Sequence, residues 1–131
     1  MIGLDTNVLV RYVMQDDPRQ SPRATRLIES LSAEDPGFVP AVTLVELVWV
    51  LSASYGLDRA QVVTVLDALV RSKELMIDRA ELVTQALNRY NAGGADFADA
   101  LIERIAAAAG CSTTMTFDAG AAKFAAMTMV P

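Results

Sequence analysis

The chain contains no histidine and a single cysteine, Cys111. Without histidine, neither a Ser-His-Asp nor a Cys-His catalytic unit can be built, and a zinc site of the usual nitrogen and sulfur type is excluded. A lone cysteine excludes an internal disulfide. In a loop-poor, apolar-periodic sequence that fits a reducing cytosol. No histidine is present to activate the thiol, so Cys111 reads as a small core residue of a strand. Aromatic residues are only 6% of the chain, which leaves Leu, Val, Ile, Met and Ala to build the core. There is no basic surplus either: eleven Lys+Arg face sixteen Asp+Glu, a net charge of −5. A general nucleic-acid binder would carry such a surplus; here any contact with a phosphate backbone must be local or metal-assisted. The acidity fits plain solubility and also a basic partner. The most apolar run, Ala41 to Ala53, carries Glu46 and is too short to span a bilayer. The N-terminus lacks the basic region and apolar stretch of a secretory signal. A soluble, cytoplasmic protein is expected, with no membrane partner. No G-x-G-x-x-G occurs, and Gly93-Gly94 is not followed by the Lys-Ser/Thr of a P-loop.

What is there is a chain of 131 residues, 53% hydrophobic. That suffices for one domain with a core, residues 1–131, and is too little for two ordinary ones. Met1–Leu4 reads as a short buried strand and Thr6–Met14 as a helix. Ser21 to Ser32 is a second helix, with Ser21 as N-cap and Pro22 at the first position. Phe38-Val39-Pro40 is a strand fragment. Thr43 to Tyr55 reads as an apolar helix closed by Gly56. Asp58 to Ser72 is a helix whose Asp58 and Gln61 make a capping box, with Val62, Val65, Leu66 and Leu69 as its buried stripe. Glu74–Ile77 is a strand, Arg79–Asn91 a helix, and Asp96–Ala109 an Ala-rich helix ended by Gly110. Ser112–Phe117 is strand-like, a short helix runs from Ala119 to Ala125, and Met127–Val130 is a last edge strand. The alternation predicts a three-layer α/β domain: a mostly parallel central sheet of four to five short strands, flanked by about seven helices.

Five acids stand at strand–helix junctions: Asp5, Glu46, Asp96, Asp99 and Asp118. Each has a plain use. Asp5 and Asp118 can cap the helices they precede, Thr43 and Glu46 fit a capping box, and Asp96 with Asp99 can be a cap and a first-turn acid favoured by the helix dipole. Together they point elsewhere. The ends of parallel strands share one edge of a sheet, and converging carboxylates repel unless protonated or neutralised by a cation. An all-oxygen set suits Mg²⁺ or Mn²⁺. Phosphodiester hydrolysis needs only carboxylates and one or two such ions. Asp5-Thr6-Asn7 also resembles the first loop of haloacid-dehalogenase-type phosphatases, but Asn7 stands where their acid/base Asp would be.

Leu4-Asp5-Thr6-Asn7-Val8-Leu9 resembles the opening of PIN-domain ribonucleases. Val45-Glu46-Leu47 resembles their second acid, Asp96-Phe97-Ala98-Asp99-Ala100-Leu101-Ile102 their third block, and Thr116-Phe117-Asp118 their fourth. A free-standing domain of this size is similar to VapC-type toxins of bacterial toxin–antitoxin pairs. The resemblance implies a Mg²⁺- or Mn²⁺-dependent endoribonuclease with Asp5, Glu46, Asp99 and Asp118 as catalytic, metal-binding quartet. Asp96 is either a further ligand or a helix cap. Thr6, Asn7 and Thr116 would support the carboxylates through hydrogen bonds. The resemblance also implies a homodimer, an RNA substrate and a cognate antitoxin that blocks the site.

Two rival readings remain open at this stage: a PIN-like module that binds metal or a partner without cleavage, and a metal-dependent phosphatase of small phosphate esters. Arg11, Arg19, Arg23 and Arg26 can hold RNA phosphates or form a solvated face. Trp49, three residues after Glu46 on the same helical face, can line the pocket mouth but reads better as a core or partner-contact residue. Lys123 and Phe124 are candidates to touch substrate. Met14, Met76, Met115, Met127 and Met129 read as core or dimer filler.

Overall fold

The computed structural model describes residues 1–131, which fall into two compact units, Met1–Ala80 and Glu81–Pro131. The first unit runs β1 (Ile2–Gly3), α1 (Thr6–Met14), α2 (Gln20–Glu29), β2 (Gly37–Val39), α3 (Ala41–Trp49), a π-helical turn (Val50–Ser54), α4 (Arg59–Arg71) and β3 (Leu75–Ile77). The strands form a parallel sheet in the order β1-β2-β3, with Gly3 beside Phe38 and Phe38 beside Met76. All three strands therefore end at one edge. Asp5, the start of α3 and Asp78 follow directly from those ends. Leu44, Leu47 and Leu51 recur at helical spacing and are completely buried, as are Leu9, Val62 and Leu66. Each such side chain contributes roughly 1.5–3 kcal/mol of burial.

The helix starts in this unit differ from expectation in two places. The cap of α2 is Asp17, not Ser21. Asp17 Oδ1 accepts the N–H groups of Arg19 and Gln20 at 2.9 and 2.7 Å, and Ser21 Oγ accepts the Asp17 N–H at 3.3 Å. Pro22 then lies inside the first turn, where its missing N–H costs nothing. Nor do Thr43 and Glu46 form a capping box. The helix α3 starts earlier, at Ala41 after Pro40, and the acceptor is the Asp78 carboxylate, 3.3 Å from the Ala41 N–H. The predicted box on α4 is present, with Gln61 N–H on Asp58 at 2.8 Å and Asp58 N–H on Gln61 at 2.9 Å. The expected helix through Tyr55 changes winding at Val50, where the Tyr55 N–H reaches the Val50 carbonyl at 3.2 Å, five residues back.

The second unit holds α5 (Ala80–Ala92, whose first residue belongs to the preceding unit), α6 (Phe97–Ala108), β4 (Met115–Thr116), α7 (Ala119–Phe124) and β5 (Thr128–Met129). β4 and β5 pair in parallel, Met115 beside Thr128. The five strands are thus divided into a three-stranded and a two-stranded parallel sheet, with seven α-helices. Ala95, Ala121, Ala125 and Met127 form one buried cluster, and Tyr90 meets Phe97 edge-on with centroids 6.2 Å apart. Glu103 is buried between Arg104 and Arg89 (2.6 and 3.3 Å). The hydrogen bond and charge of Arg104, then the charge of Arg89, hold its carboxyl below the usual range despite burial.

Cys111 is exposed and lies outside any strand. The α6 terminus explains this. Gly110 takes φ +99°, its N–H bonds to the Ala107 carbonyl, and the Cys111 N–H bonds back to the Ala106 carbonyl, each at 3.0 Å. This double closure is a Schellman cap, and it commits the Cys111 backbone to the helix. Trp49 is not a core residue either: it is 66% exposed. Of the five methionines expected as filler, Met127 is buried, Met14 is half-buried, and Met76, Met115 and Met129 are exposed.

Candidate active site

In the first unit Asp5 stands two residues past β1, in extended conformation, and begins α1. Its Oδ1 accepts the Thr6 N–H at 2.8 Å, so the capping use is real but engages only one oxygen. Thr6 is buried, and its hydroxyl is the chain's one buried side-chain polar atom without a hydrogen-bond partner. An orphaned hydroxyl beside a carboxylate is a group that water or a ligand would satisfy. Glu46 sits in the second turn of α3, exposed, and its carboxylate makes no hydrogen bond or ion pair. Its structural use is therefore gone. The job expected of it falls to Asp78, whose signal lay in the sequence: it directly follows the strand β3.

In the second unit, three acids lie at two helix starts. Asp96 is the N-cap residue of α6, yet its side chain caps nothing. Asp99, in the first turn, is half-buried. Asp118 stands two residues past β4, as Asp5 stands past β1, and caps α7 by accepting the Gly120 and Ala121 N–H groups at 2.7 and 3.3 Å. Thr116 Oγ1 accepts the Asp118 N–H at 3.0 Å, which fixes the turn that presents the carboxylate. Asp99 feels the other two. Burial, then the charge of Asp96, then that of Asp118 push the Asp99 carboxyl up. No cationic side chain offsets them.

Asn7 lines an open cleft of about 440 Å³ between α1 and α2, with Arg11, Gln20, Arg23, Ala24 and Leu27. Arg11 is fixed there by a network invisible at sequence level because its partners are distant. Its Nε donates to Gln20 at 2.8 Å, its Nη1 to the Tyr55 hydroxyl at 3.3 Å, and Tyr55 in turn donates to Asp16 at 2.8 Å. Lys123 and Phe124 contact each other, the ammonium 5.1 Å from the ring centroid.

The donors are oxygen throughout, which fits a hard divalent cation and not zinc. The side chains as they stand form no group of three or more acids close enough to hold one. Small parallel sheets that deliver acids to helix starts, with no histidine to share the work, mark an α/β domain built around carboxylate chemistry. A family model for the PIN domain matches residues 2–127, and the chain belongs to the PIN-domain family. Members of that family are generally nucleases and typically use divalent metals. No curated protein matches the chain. No helix is long and apolar enough to cross a membrane.

Proposed function

We propose that the chain, as one domain over residues 1–131, is a Mg²⁺- or Mn²⁺-dependent endoribonuclease. Asp5, Glu46, Asp99 and Asp118 serve as its metal-ligating carboxylates, and Asp96 as an auxiliary one. The carrying observation is the second-unit acid cluster: Asp96 and Asp99 do no capping and no ion pairing, and Asp99 is crowded by like charge. A fold does not gain from such crowding, but a cation site does. Bound metal would stabilise charge on the phosphoryl group and promote the attack of water. Thr116 and the α7 N-terminus hold Asp118 in place, and Asp5 keeps one oxygen free of its cap. The likeness to VapC-type toxins extends the proposal to a cytoplasmic homodimer, restrained by an antitoxin. Val42 and Trp49, seven apart on α3 and both exposed, offer apolar surface to such a protein partner. Asp5→Asn should abolish RNA cleavage in Mn²⁺ while circular dichroism stays native. Full cleavage by that variant, or cleavage that survives EDTA, would refute the assignment.

A second reading, a PIN-fold module that binds a partner without cutting RNA, draws on the lack of three converged acids. RNA and small-ester substrates assayed side by side, with and without Mn²⁺, separate this reading and a small-ester phosphatase from the ribonuclease.

A further inference from the structure

We infer that the α1–α2 cleft and the arginine row that runs from Arg19, just before α2, along that helix form a binding track for single-stranded RNA, separate from the carboxylates. The inference rests on the ribonuclease reading and adds where its substrate lies. Arg19, Arg23 and Arg26 are spaced four and three apart, so they share one helical face and extend over roughly 10 Å of axis. All three are exposed and none has an ion-pair partner. Of the acids nearby, Asp17 is engaged by the backbone N–H groups at the α2 start and Asp16 by Tyr55 and Arg11; Glu29, at the far end of α2, is exposed and forms no ion pair with the row. In a chain of net charge −5, three consecutive unneutralised guanidinium groups are a local exception that an extended polyanion would use.

The cleft beside this row has the other half of what single-stranded RNA needs. Ala24 and Leu27 give apolar lining, Asn7 and Gln20 carry amides able to pair with base edges, and Arg23 joins the cleft to the row. Arg11 is held rigid by Gln20, Tyr55 and Asp16, which leaves its Nη2 edge and its guanidinium plane for a phosphate or a stacked base. The cleft begins at Asn7, two residues from Asp5, so a strand lying in it leads toward that carboxylate. An acidic peptide would satisfy the charges but makes poor use of the amides and the stacking plane.

The test is fluorescence anisotropy with a labelled single-stranded RNA 20-mer in EDTA, where no cleavage occurs, from about 50 to 200 mM salt. Replacing Arg19, Arg23 and Arg26 together with Gln should weaken binding at least tenfold at low salt. It should also reduce the log–log salt slope by about 2, roughly 0.7 for each lost phosphate contact. Arg11→Lys keeps the charge and should weaken binding with the slope unchanged. Arg71→Gln, on α4 and paired with Asp67, should bind like wild type. Wild-type affinity and slope in the triple variant would overturn the track, as would competition by poly-glutamate as effective as that by RNA. Cleavage measured in parallel in Mn²⁺ keeps the two proposals apart. Salt-linked binding without cleavage refutes the nuclease and leaves the track, whereas cleavage with unchanged KM in the triple variant refutes the track alone.

Discussion

The Asp78 carboxylate and the Ala41 N–H meet at 3.3 Å across thirty-seven residues of sequence. The chain leaving β3 thereby caps the helix that follows β2. Pro40 cannot supply this bond, having no polar side chain, and Glu46 is released from it. Asp78→Ala should cost about 0.5–1 kcal/mol, read as a lower denaturation midpoint at unchanged m-value. Cleavage at a temperature where the variant is folded should stay within twofold of wild type, since Asp78 serves only the helix.

Glu46 gives the opposite outcome. Its carboxylate is exposed and bonds to nothing, so Glu46→Gln should leave the melting temperature unchanged and lower cleavage by about 100-fold or more. A variant that melts early would mean the side chain has a structural partner after all.

Asp99 carries a pH signature. Burial and the charges of Asp96 and Asp118 raise its pKa, so the folded state holds the proton more tightly than the unfolded chain does. Its contribution to stability is present at low pH and is lost as pH rises through the raised value. Without metal, Asp99→Asn should therefore raise the melting temperature at pH 7 by about 1–3 °C, a modest figure because solvent screens a half-exposed group. Mn²⁺ should stabilise wild type and leave this variant unmoved. Equal Mn²⁺ shifts in both proteins would remove Asp99 from the metal site.

Glu103 has the reverse sign. Arg104 and Arg89 depress its pKa, so its stabilisation is complete above the usual Glu range and is lost as pH falls through the depressed value. Glu103→Gln should cost about 1.5–3 kcal/mol at pH 7, and the difference from wild type should shrink steadily in acid. A pH-independent difference would point to packing instead of charge.

Gly94 is needed twice over. Its φ is +85°, and a Cβ there would lie 2.4 Å from the Phe124 ring. Gly94→Ala should cost about 2–4 kcal/mol from backbone strain and overpacking together. Phe124→Ala in the same chain should recover the packing part and leave the strain. Gly93→Ala, at φ +97° with nothing near, should cost the strain alone, about 1–2 kcal/mol.

Most elements were legible because their signals are local. The Asp58–Gln61 box, the Gly110 stop and the Val62–Leu66–Leu69 stripe of α4 each depend on residues within a turn or two. The misreadings share a cause. Ser21, Thr43 and Glu46 all fit local capping patterns, but an acceptor from outside the pattern, Asp17 or Asp78, reached the helix start first. Cys111 looked like strand because its neighbours are β-branched; the Schellman closure of α6 had already claimed its backbone. The division of five strands into sheets of three and two depends on pairings between distant segments, which no window of sequence contains.

By itself the sequence determined the chemistry open to this protein. With no histidine, a single cysteine and five acids at predicted helix starts, a metal site here must draw on oxygen donors, and that holds however the chain folds. Tertiary structure decided which acids are free to act. Asp78 is bound to the α3 start, Asp5 and Asp118 each give one oxygen to a helix start and keep the other, Glu46 and Asp96 cap nothing, and Asp99 is pressed by its neighbours. Whether a carboxylate caps, pairs or stands unsatisfied depends on which backbone N–H or charge lies within about 3 Å of it, and only the folded chain sets those distances.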